Sequence, residues 1–338
     1  MLPQGAARDV IALRLQGSGA VQPAARLDSA AIDARLQQPP GWTARHFAID
    51  SRAVAGPEET SSALGEAAAR QALDAAGWQA QEIDVLIGAC GVMEQPIPGT
   101  ACLIQRRLGL GGSGIPAFDV NATCLSFLVA LDLVALGFAA GRWRKALIVS
   151  ADIASAALDF TQPEASVIFG DGAAAVAVEA IPGDSALLGY RLETYGDGTE
   201  LCALEAGGTR LRPQDDLEDF LARAHFRMDG PGVFKATARR FPAFLDKLLD
   251  TCGVAPAAID LVVPHQASAA ALDHLRRAFP AAEGKVVDIF ADHGNQIAAS
   301  LPSALHAAIQ SGRLHRGDLA LLIGTAAGVS LGGAVLRY

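Results

Sequence analysis

A cysteine at the start of a predicted helix is the first candidate for chemistry in this sequence. Cys124 follows a strand-like segment, residues 117–120, and opens an apolar run with helical spacing. The positive end of a helix and its free N–H groups favour the thiolate, the nucleophilic form of cysteine. Such a cysteine could accept an acyl group while backbone N–H groups hold the oxyanion. The alternative is a free cysteine that serves as a small core residue.

A histidine and an asparagine in the second half of the chain could complete such a site. His265 directly follows an apolar segment, residues 259–264, at the carboxyl end of a predicted strand, where open α/β sheets bind ligands. Asn295 precedes another predicted helix. The alternatives are a buried histidine bonded to the backbone and an asparagine that caps a helix. We assign structural roles to His293, in a glycine-containing loop, and to Asp171, in a tight turn.

The elements that position these residues occur twice in the chain. Residues 73–87 and 249–263 align without a gap, and each reads as a helix end, a glycine turn and a buried strand. Residues 141–150 resemble residues 312–323 in the same order of helix end, turn and strand, with a short insertion in the second copy. These two pairs of similar segments occur in the same order along the chain, which indicates an internal duplication. A solenoid is not indicated, because the repeated unit occurs only twice.

The duplication identifies equivalent positions in the two halves. Cys124 lies 17 residues before Gly141, and Asn295 lies 17 residues before Gly312, so each starts the corresponding helix of its half. Pseudo-twofold symmetry would turn both helix starts toward one cavity. Together with His265, three groups from distant parts of the sequence are therefore predicted to converge.

The apolar pattern predicts the fold class. The strands of both halves are continuous apolar runs, which is typical of parallel strands covered by helices on both faces. We therefore expect a duplicated α/β protein with an N-terminal half over residues 1–180 and a C-terminal half over residues 181–338. Residues 319–336 carry no charge but are interrupted by glycines, which favours two buried strands joined by a turn over a membrane span.

Composition excludes several classes of protein. Apolar residues make up 51% of the chain and charged residues 19%, which excludes disorder, collagen and coiled coil. The 27 Lys and Arg against 36 Asp and Glu give a net charge of −9, which argues against binding to nucleic acid or to an anionic membrane. The five cysteines lack CxxC spacing, and the seven histidines lack metal-ligand spacing. Because residues 1–15 show no secretion signal, we expect a cytoplasmic protein with reduced thiols and no metal.

Five ordered motifs resemble those of the β-ketoacyl-acyl carrier protein synthase III family of the thiolase superfamily. Asp119-Val-Asn-Ala-Thr-Cys124 resembles its nucleophile motif, Val263-Pro-His-Gln-Ala267 its histidine motif, and His293-Gly-Asn-Gln-Ile-Ala-Ala-Ser300 its asparagine motif. Ile168-Phe-Gly-Asp-Gly172 and Gly328-Val-Ser-Leu-Gly332 are two further matches. The resemblance implies a layered α/β/α/β/α fold of thiolase type, usually homodimeric.

The resemblance also implies an acyltransferase of fatty acid or polyketide-type biosynthesis. Cys124 would take an acyl group from an acyl thioester, with the N–H groups of Cys124 and Ala327 as the oxyanion hole. His265 and Asn295 would then hydrogen-bond the carbonyl of a malonyl thioester, such as malonyl carrier protein, as it loses CO2. Acyl groups would arrive on coenzyme A or on the phosphopantetheine of an acyl carrier protein, and no other cofactor is implied.

Several substrate contacts are implied in the same way. Gly230 and Phe234 match a segment that lines the pantetheine tunnel of relatives. Ile97 lies in a loop, residues 91–99, that in relatives helps to form the acyl pocket across the dimer. Three basic residues match positions that face the acidic carrier protein, and the alternative for the two arginines is a solvated helix face. These residues are Lys235, Arg276 and Arg277, which Arg239 and Arg240 could extend.

The chain also departs from the family pattern. Initiating members commonly stack the adenine of coenzyme A between a Trp and an Arg, and here Ala34 or Arg35 occupies the first position and Pro163 the second. Ser268 stands where many relatives have Asn. These changes favour a carrier protein over coenzyme A as the acyl donor.

Three alternative functions remain open at the level of the sequence. Glu94 could act as the base of a condensation without decarboxylation, as a glutamate near the cysteine does in some superfamily members, or it could be a solvated loop tip. The same fold could also transfer the acyl group from Cys124 to an alcohol or an amine. A non-catalytic partner subunit is the third alternative, although such subunits usually lack the nucleophile or the histidine.

Overall fold

The computed structural model describes residues 10–280 and 283–338, so residues 1–9, on which the interpretation of the amino terminus partly rests, lie outside the described residues. The strands are β1 Ile11–Ala12, β2 Arg14–Val21, β3 Arg26–Asp28, β4 Ser51–Ala53, β5 Val85–Gly88, β6 Ala117–Asp119, β7 Lys145–Asp152, β8 Gly172–Glu179, β9 Ala186–Gly198, β10 Cys202–Ala203, β11 Arg227–Met228, β12 Leu261–Pro264, β13 Leu319–Ala326 and β14 Gly328–Arg337. The α-helices are α1 Ser29–Arg35, α2 Trp42–Phe47, α3 Ser61–Ala76, α4 Thr100–Arg107, α5 Ser126–Ala139, α6 Pro163–Ser166, α7 Leu217–Ala222, α8 Gly230–Ala238, α9 Phe241–Cys252, α10 Ala269–Ala278, α11 Phe290–His293 and α12 Ser300–Gln310.

Two five-stranded sheets form the frame of the protein. Their strand orders are β2-β8-β7-β5-β6 and β1-β9-β14-β13-β12. The predicted parallel pairing is confirmed for β5 with β6 and β7, and for β12 with β13. It is wrong for the strand that closes each half, because β8 and β14 run antiparallel to their neighbours. One residue separates β13 from β14, and a parallel return would need a much longer crossover.

The repeated plan is present in the backbone. Helix α3 ends at Gly77 and α9 ends at Gly253, both in the left-handed region, with φ of 69° and 63°, and each leads into a buried strand. Helices α5 and α12 are followed by Gly141 and Gly312, with φ of 67° and 66°. Glycine adopts this conformation without steric cost, so the duplicated glycines end the duplicated helices.

The helices and sheets stack in five layers. Helices α5 and α12 lie between the two sheets and share one core with both, whereas α3 and α4 cover the outer face of the first sheet and α9 and α10 that of the second. Helix α5 is apolar around most of its circumference because a sheet packs on either side of it. The predicted layered α/β/α/β/α fold is confirmed. Within the described ranges, no helix combines the length and the hydropathy needed to cross a bilayer.

Candidate active site

A tight turn presents Cys124 at the start of α5. The helix begins at Ser126, whose hydroxyl donates to the carbonyl of Thr123 at 2.6 Å and accepts from the N–H of Ala122 at 2.9 Å. Thr123 has a φ of 52°, a conformation that costs energy for a β-branched residue and that is characteristic of functional sites. The side chain of Cys124 is therefore held by the turn rather than within the regular helix.

The environment of Cys124 favours the thiol over the thiolate. Burial, reinforced by the charge of Asp152 and by the neighbouring Cys202, raises the pKa of the Cys124 thiol to about 12. The expectation that the helix start favours a thiolate is therefore wrong in its net effect, since burial outweighs the local N–H groups. Hydrogen bonds from the N–H groups of Cys124 and Ala327 oppose this rise in pKa, so both donors lie beside the sulfur.

His265 is neutral and one of its ring nitrogens is unoccupied. It follows β12 directly, and its backbone N–H donates to the carbonyl of Ile323 on β13 at 2.8 Å. Burial lowers the pKa of His265 to about 4. Its Nδ1 is buried and has no hydrogen-bond partner among the residues that the structure describes. A neutral imidazole in this position can donate one hydrogen bond to a ligand or accept one from it, according to its tautomer.

Asn295 serves as a cap and also offers a donor. Its Oδ1 accepts from the N–H of Ile297 at 2.9 Å, at the 3-10 turn that precedes α12, and its Nδ2 donates to the carbonyl of Ala267 at 3.3 Å. The preceding Gly294 has a φ of 66°, and Thr123, which precedes Cys124, also has a positive φ of 52°, so the two equivalent turns share one feature. An amide nitrogen has two N–H bonds, and the second is available for a substrate.

Contacts of their neighbouring residues bring the segments of the three predicted groups together near the carboxyl ends of β12 and β13. Ala267, which accepts from Asn295, donates through its N–H to the carbonyl of His265 at 2.9 Å. A Cβ placed on Gly324 of β13 would lie 2.7 Å from the Cβ of His265 and 3.2 Å from Cδ2 of Leu125, the residue after the cysteine. His265 and the turn at Cys124 therefore both pack against the position that a side chain of Gly324 would occupy.

Two family models match the chain. That for 3-oxoacyl-[acyl-carrier-protein (ACP)] synthase III matches residues 118–196, and that for the C-terminal part of the same enzyme matches residues 249–338. The chain is 34% identical to the beta-ketoacyl-[acyl-carrier-protein] synthase III of Neisseria meningitidis serogroup A over 327 residues, which are 96% of this chain and 99% of the relative. The chain belongs to the 3-oxoacyl-[acyl-carrier-protein] synthase III family.

Other synthase III proteins agree with this assignment. The beta-ketoacyl-[acyl-carrier-protein] synthase III of Synechococcus sp. (strain RCC307) is 34% identical over 328 residues, 96% of this chain and 98% of the relative. The crystal structure of the 3-oxoacyl-[acyl-carrier-protein] synthase III of Aquifex aeolicus VF5 superposes with a TM-score of 0.87 at 31% identity, covering 96% of this chain and 100% of that one. The predicted family, fold and acyltransferase class are confirmed.

A small cavity leads to His265 of this synthase III chain. It has a volume of about 70 Å³, and α8 and α10 form much of its wall. Phe234 of α8 lies in this wall and is partly exposed, while Gly230 is the first residue of the same helix. Ile97 does not line this cavity, and its side chain is 86% exposed on the loop of residues 91–99.

The three predicted docking residues lie on the two helices of that wall. Lys235 is exposed on α8, and Arg277 is exposed on α10 without an ion pair within the described part of the chain. Arg276 is already paired, with Asp273 at 2.7 Å and Asp288 at 2.6 Å. Two of the three cations are therefore available to a partner.

Glu94 lies elsewhere and has a structural contact. Its carboxylate accepts from the N–H of Ser62 at 2.6 Å in the first turn of α3, whose N-cap is Thr60, so the side chain binds the helix start rather than forming a solvated loop tip. It lines a separate and larger cavity of about 720 Å³. In the wall of that cavity the guanidinium of Arg35 stacks 3.6 Å above the ring of Phe160.

Two groups beside the nucleophile were not predicted from the sequence. Asp152, the last residue of β7, is fully buried, and burial raises its pKa to about 7 against the effect of four backbone N–H groups. Cys202, on β10, is half-buried near Cys124. A carboxylate that ends a continuous apolar strand was the available signal for Asp152, because such strand ends form the ligand-binding edge. Nothing in the local sequence indicates the position of Cys202.

Proposed function

We propose that this chain condenses an acyl group with a malonyl thioester, using Cys124 as the acyl carrier. The observation that carries the proposal is that the segments bearing one thiol, one neutral imidazole and one carboxamide contact one another, with two backbone N–H groups at the sulfur. Each group fits one step of that reaction. The acyl groups arrive as thioesters, so the reaction needs no further cofactor.

In the first step the Cys124 sulfur attacks the carbonyl carbon of an acyl thioester. The carbonyl oxygen becomes an oxyanion between the N–H groups of Cys124 and Ala327, which stabilise it without moving. The carbon–sulfur bond of the donor then breaks, and the thiol proton leaves with the departing thiol. Because the resting cysteine is a thiol, no net charge is left in the buried site after this exchange.

In the second step the carbonyl of a malonyl thioester accepts hydrogen bonds from His265 and Asn295. Loss of CO2 leaves an enolate whose oxygen is stabilised by these two donors as its charge develops. The enolate carbon attacks the acyl carbon on Cys124 and the bond to sulfur breaks, which releases the β-ketoacyl thioester. The Cys124 thiolate left behind takes a proton from solvent and returns to the resting thiol. Burial of His265 keeps the imidazole neutral, so it acts here as a hydrogen-bond donor and remains uncharged.

The acyl and malonyl groups are proposed to arrive on an acyl carrier protein. Lys235 and Arg277 flank the cavity that leads to His265, in a chain of net charge −9, and present a local basic surface to an acidic partner. Arg35, one of the two candidates for the first adenine-stacking position, is already stacked on Phe160, and Pro163 stands at the second position in place of an Arg. These two features support a carrier protein rather than coenzyme A as the acyl donor.

The protein is also proposed to be a cytoplasmic homodimer, and an exposed apolar loop supports the dimer. Ile97 and Met93 expose apolar side chains, 86% and 50% of their surface, on one loop. A second copy of the chain would cover this loop and bring Ile97 toward its partner's acyl pocket. Exposed apolar residues on a short loop are typical of such contacts.

The test measures the release of CO2 from malonyl carrier protein in the presence of an acyl donor, which is a carrier protein that bears an acyl group. We expect CO2 and β-ketoacyl product from the wild-type protein and neither from Cys124→Ala. His265→Ala should still form the acyl-cysteine, detected by mass spectrometry, while losing most CO2 release. Acyl transfer to an alcohol or an amine without CO2 would overturn the proposal, as would a protein that never acylates Cys124.

A further inference from the structure

A buried carboxylate connects the two halves of the site. Oδ1 of Asp152 accepts from the N–H of Gly91 at 2.8 Å and from that of Val92 at 2.7 Å, in the loop after β5. Oδ2 accepts from the N–H of Ala299 at 3.2 Å, in the turn before α12. The loop belongs to the half that carries Cys124 and the turn to the half that carries Asn295.

Both segments lie beside a proposed reacting residue: the loop meets Thr123, which precedes Cys124, and the turn is bonded to Asn295 itself. A Cβ placed on Gly91 would lie 3.3 Å from the carbonyl carbon and oxygen of Thr123, and the side chain of Asn121 donates to the Gly91 carbonyl at 3.4 Å. The turn at Ala299 begins at Ile297, whose N–H is held by the carboxamide of Asn295. The same Cβ would meet the side chain of Ile297, so the loop and the turn are in direct contact.

We propose that Asp152 is a positioning residue that ties the loop against Cys124 to the turn beside Asn295. The inference rests on the proposed function, since it treats these two side chains as reacting groups. Asp152 touches neither substrate nor the reacting atoms. It fixes the distance between the nucleophile and one of the two enolate donors, and a misplacement of this kind is costly for a reaction between two bound groups.

The charge of Asp152 gives the proposal a readout of its own. The titratable side chains that face it are the thiols of Cys124 and Cys90, and its charge raises the pKa of both. The segments that it binds, residues 91–92 and 297–299, carry no titratable side chain. A neutral residue at this position is therefore expected to lower the pKa of Cys124, an effect that simple loosening of the fold does not predict.

The test measures the rate at which iodoacetamide alkylates Cys124 between pH 7 and 11, and peptide mass spectrometry follows the modification. The wild type is compared with Asp152→Asn and with the control Asp33→Asn. Asp33 is an equally buried carboxylate that accepts from two backbone N–H groups, of Gly41 and Thr43, in the α1–α2 region. We expect D152N to be alkylated about tenfold faster than the wild type at each pH in this range, which corresponds to a midpoint about one pH unit lower, while D33N keeps the wild-type rate and midpoint. In the condensation assay D152N should lose about tenfold or more in kcat with a nearly unchanged KM.

A folded D152N protein with the wild-type midpoint and kcat would overturn the proposal, and so would an equal shift in D33N. If D152N does not fold, Asp152→Ser replaces it. The wild-type profile decides independently, since a midpoint at or below about 8.5, the ordinary value for cysteine, contradicts a buried anion acting on Cys124. Alkylation needs no substrate, so the shift in the Cys124 midpoint can be observed even if the protein does not catalyse condensation. If Asp152 has no positioning role, condensation by D152N remains at the wild-type level.

Discussion

The imidazole of His265 gains its role from burial rather than from a partner. No charged group is among the causes of its low pKa, and its buried Nδ1 has no hydrogen-bond partner within the described residues. A catalytic histidine that shuttled protons would need a pKa nearer to neutrality. Here the opposite shift keeps the ring neutral throughout the physiological range, which suits a hydrogen-bond donor to an enolate.

Burial of His265 also makes stability depend on pH. The pKa is lowered from 6.5 in the unfolded chain to about 4 in the folded protein, so between these values the unfolded state binds the extra proton. Stability from this group is complete above pH 6.5 and is lost as the pH falls toward 4, by about 2 to 3 kcal/mol at pH 4.5. Urea denaturation at pH 7 and pH 4.5 should show that the wild type loses this much more stability than His265→Gln. Equal losses in both proteins would contradict the expectation, and His225→Gln, at an exposed histidine, should behave as the wild type.

At the scale of the elements, the ends of strands and the starts of helices build the site. Helix α5 places the cysteine, β12 ends at the histidine, and the turn before α12 holds the asparagine. Strand β13 lies between them and contributes Gly324, which has no side chain at the point where His265 and Leu125 approach each other. Close approach of side chains to a backbone is a reason for glycine inside a strand.

Gly324→Ala tests this packing. The added methyl group would lie 2.7 Å from the Cβ of His265, closer than van der Waals contact, so the histidine or the strand must move. We expect a loss of about 1 to 3 kcal/mol in the free energy of unfolding and a larger loss in CO2 release than in acylation of Cys124. The control is Gly112→Ala, where no atom lies within 4 Å of the added Cβ. Unchanged stability and unchanged CO2 release in G324A would show that the site relaxes freely.

At the scale of the whole molecule, charge is distributed unevenly around an acidic protein. The net charge of −9 repels an acidic carrier protein at long range, so binding depends on a local surface of opposite sign. Lys235 and Arg277 provide such a surface on α8 and α10, beside the cavity that leads to His265. Arg276 contributes less, because two aspartates already neutralise it.

Charge reversal on this surface should weaken carrier-protein binding selectively. For Lys235→Glu with Arg277→Glu we expect the KM for malonyl carrier protein to rise about tenfold at low salt, and less at high salt, where charges are screened. The KM for malonyl coenzyme A, which lacks the protein surface, should change little. Arg142→Glu is the control, because Arg142 is exposed beyond the far end of α5, about 20 Å along the helix from Cys124. An equal rise in KM for both substrates would show that the two residues act on the part that both substrates share and not on the carrier-protein surface.

The sequence by itself determined the features that are encoded by neighbouring residues. Helix ends, left-handed glycines and buried strands follow from short patterns, and their repetition revealed the duplicated halves and the equivalence of Cys124 and Asn295. The motif residues were also sufficient to identify the family, because their order and spacing along the chain are local properties.

Only the tertiary structure decided what depends on contacts between distant residues. The antiparallel return of β8 and β14 follows from the pairing of the sheets, and the thiol state of Cys124 follows from burial that its own neighbours do not reveal. The contacts of Glu94 and Asp152 likewise join segments far apart in the chain. Burial and electrostatic interaction depend on distance through space, and the packing of the two halves sets that distance.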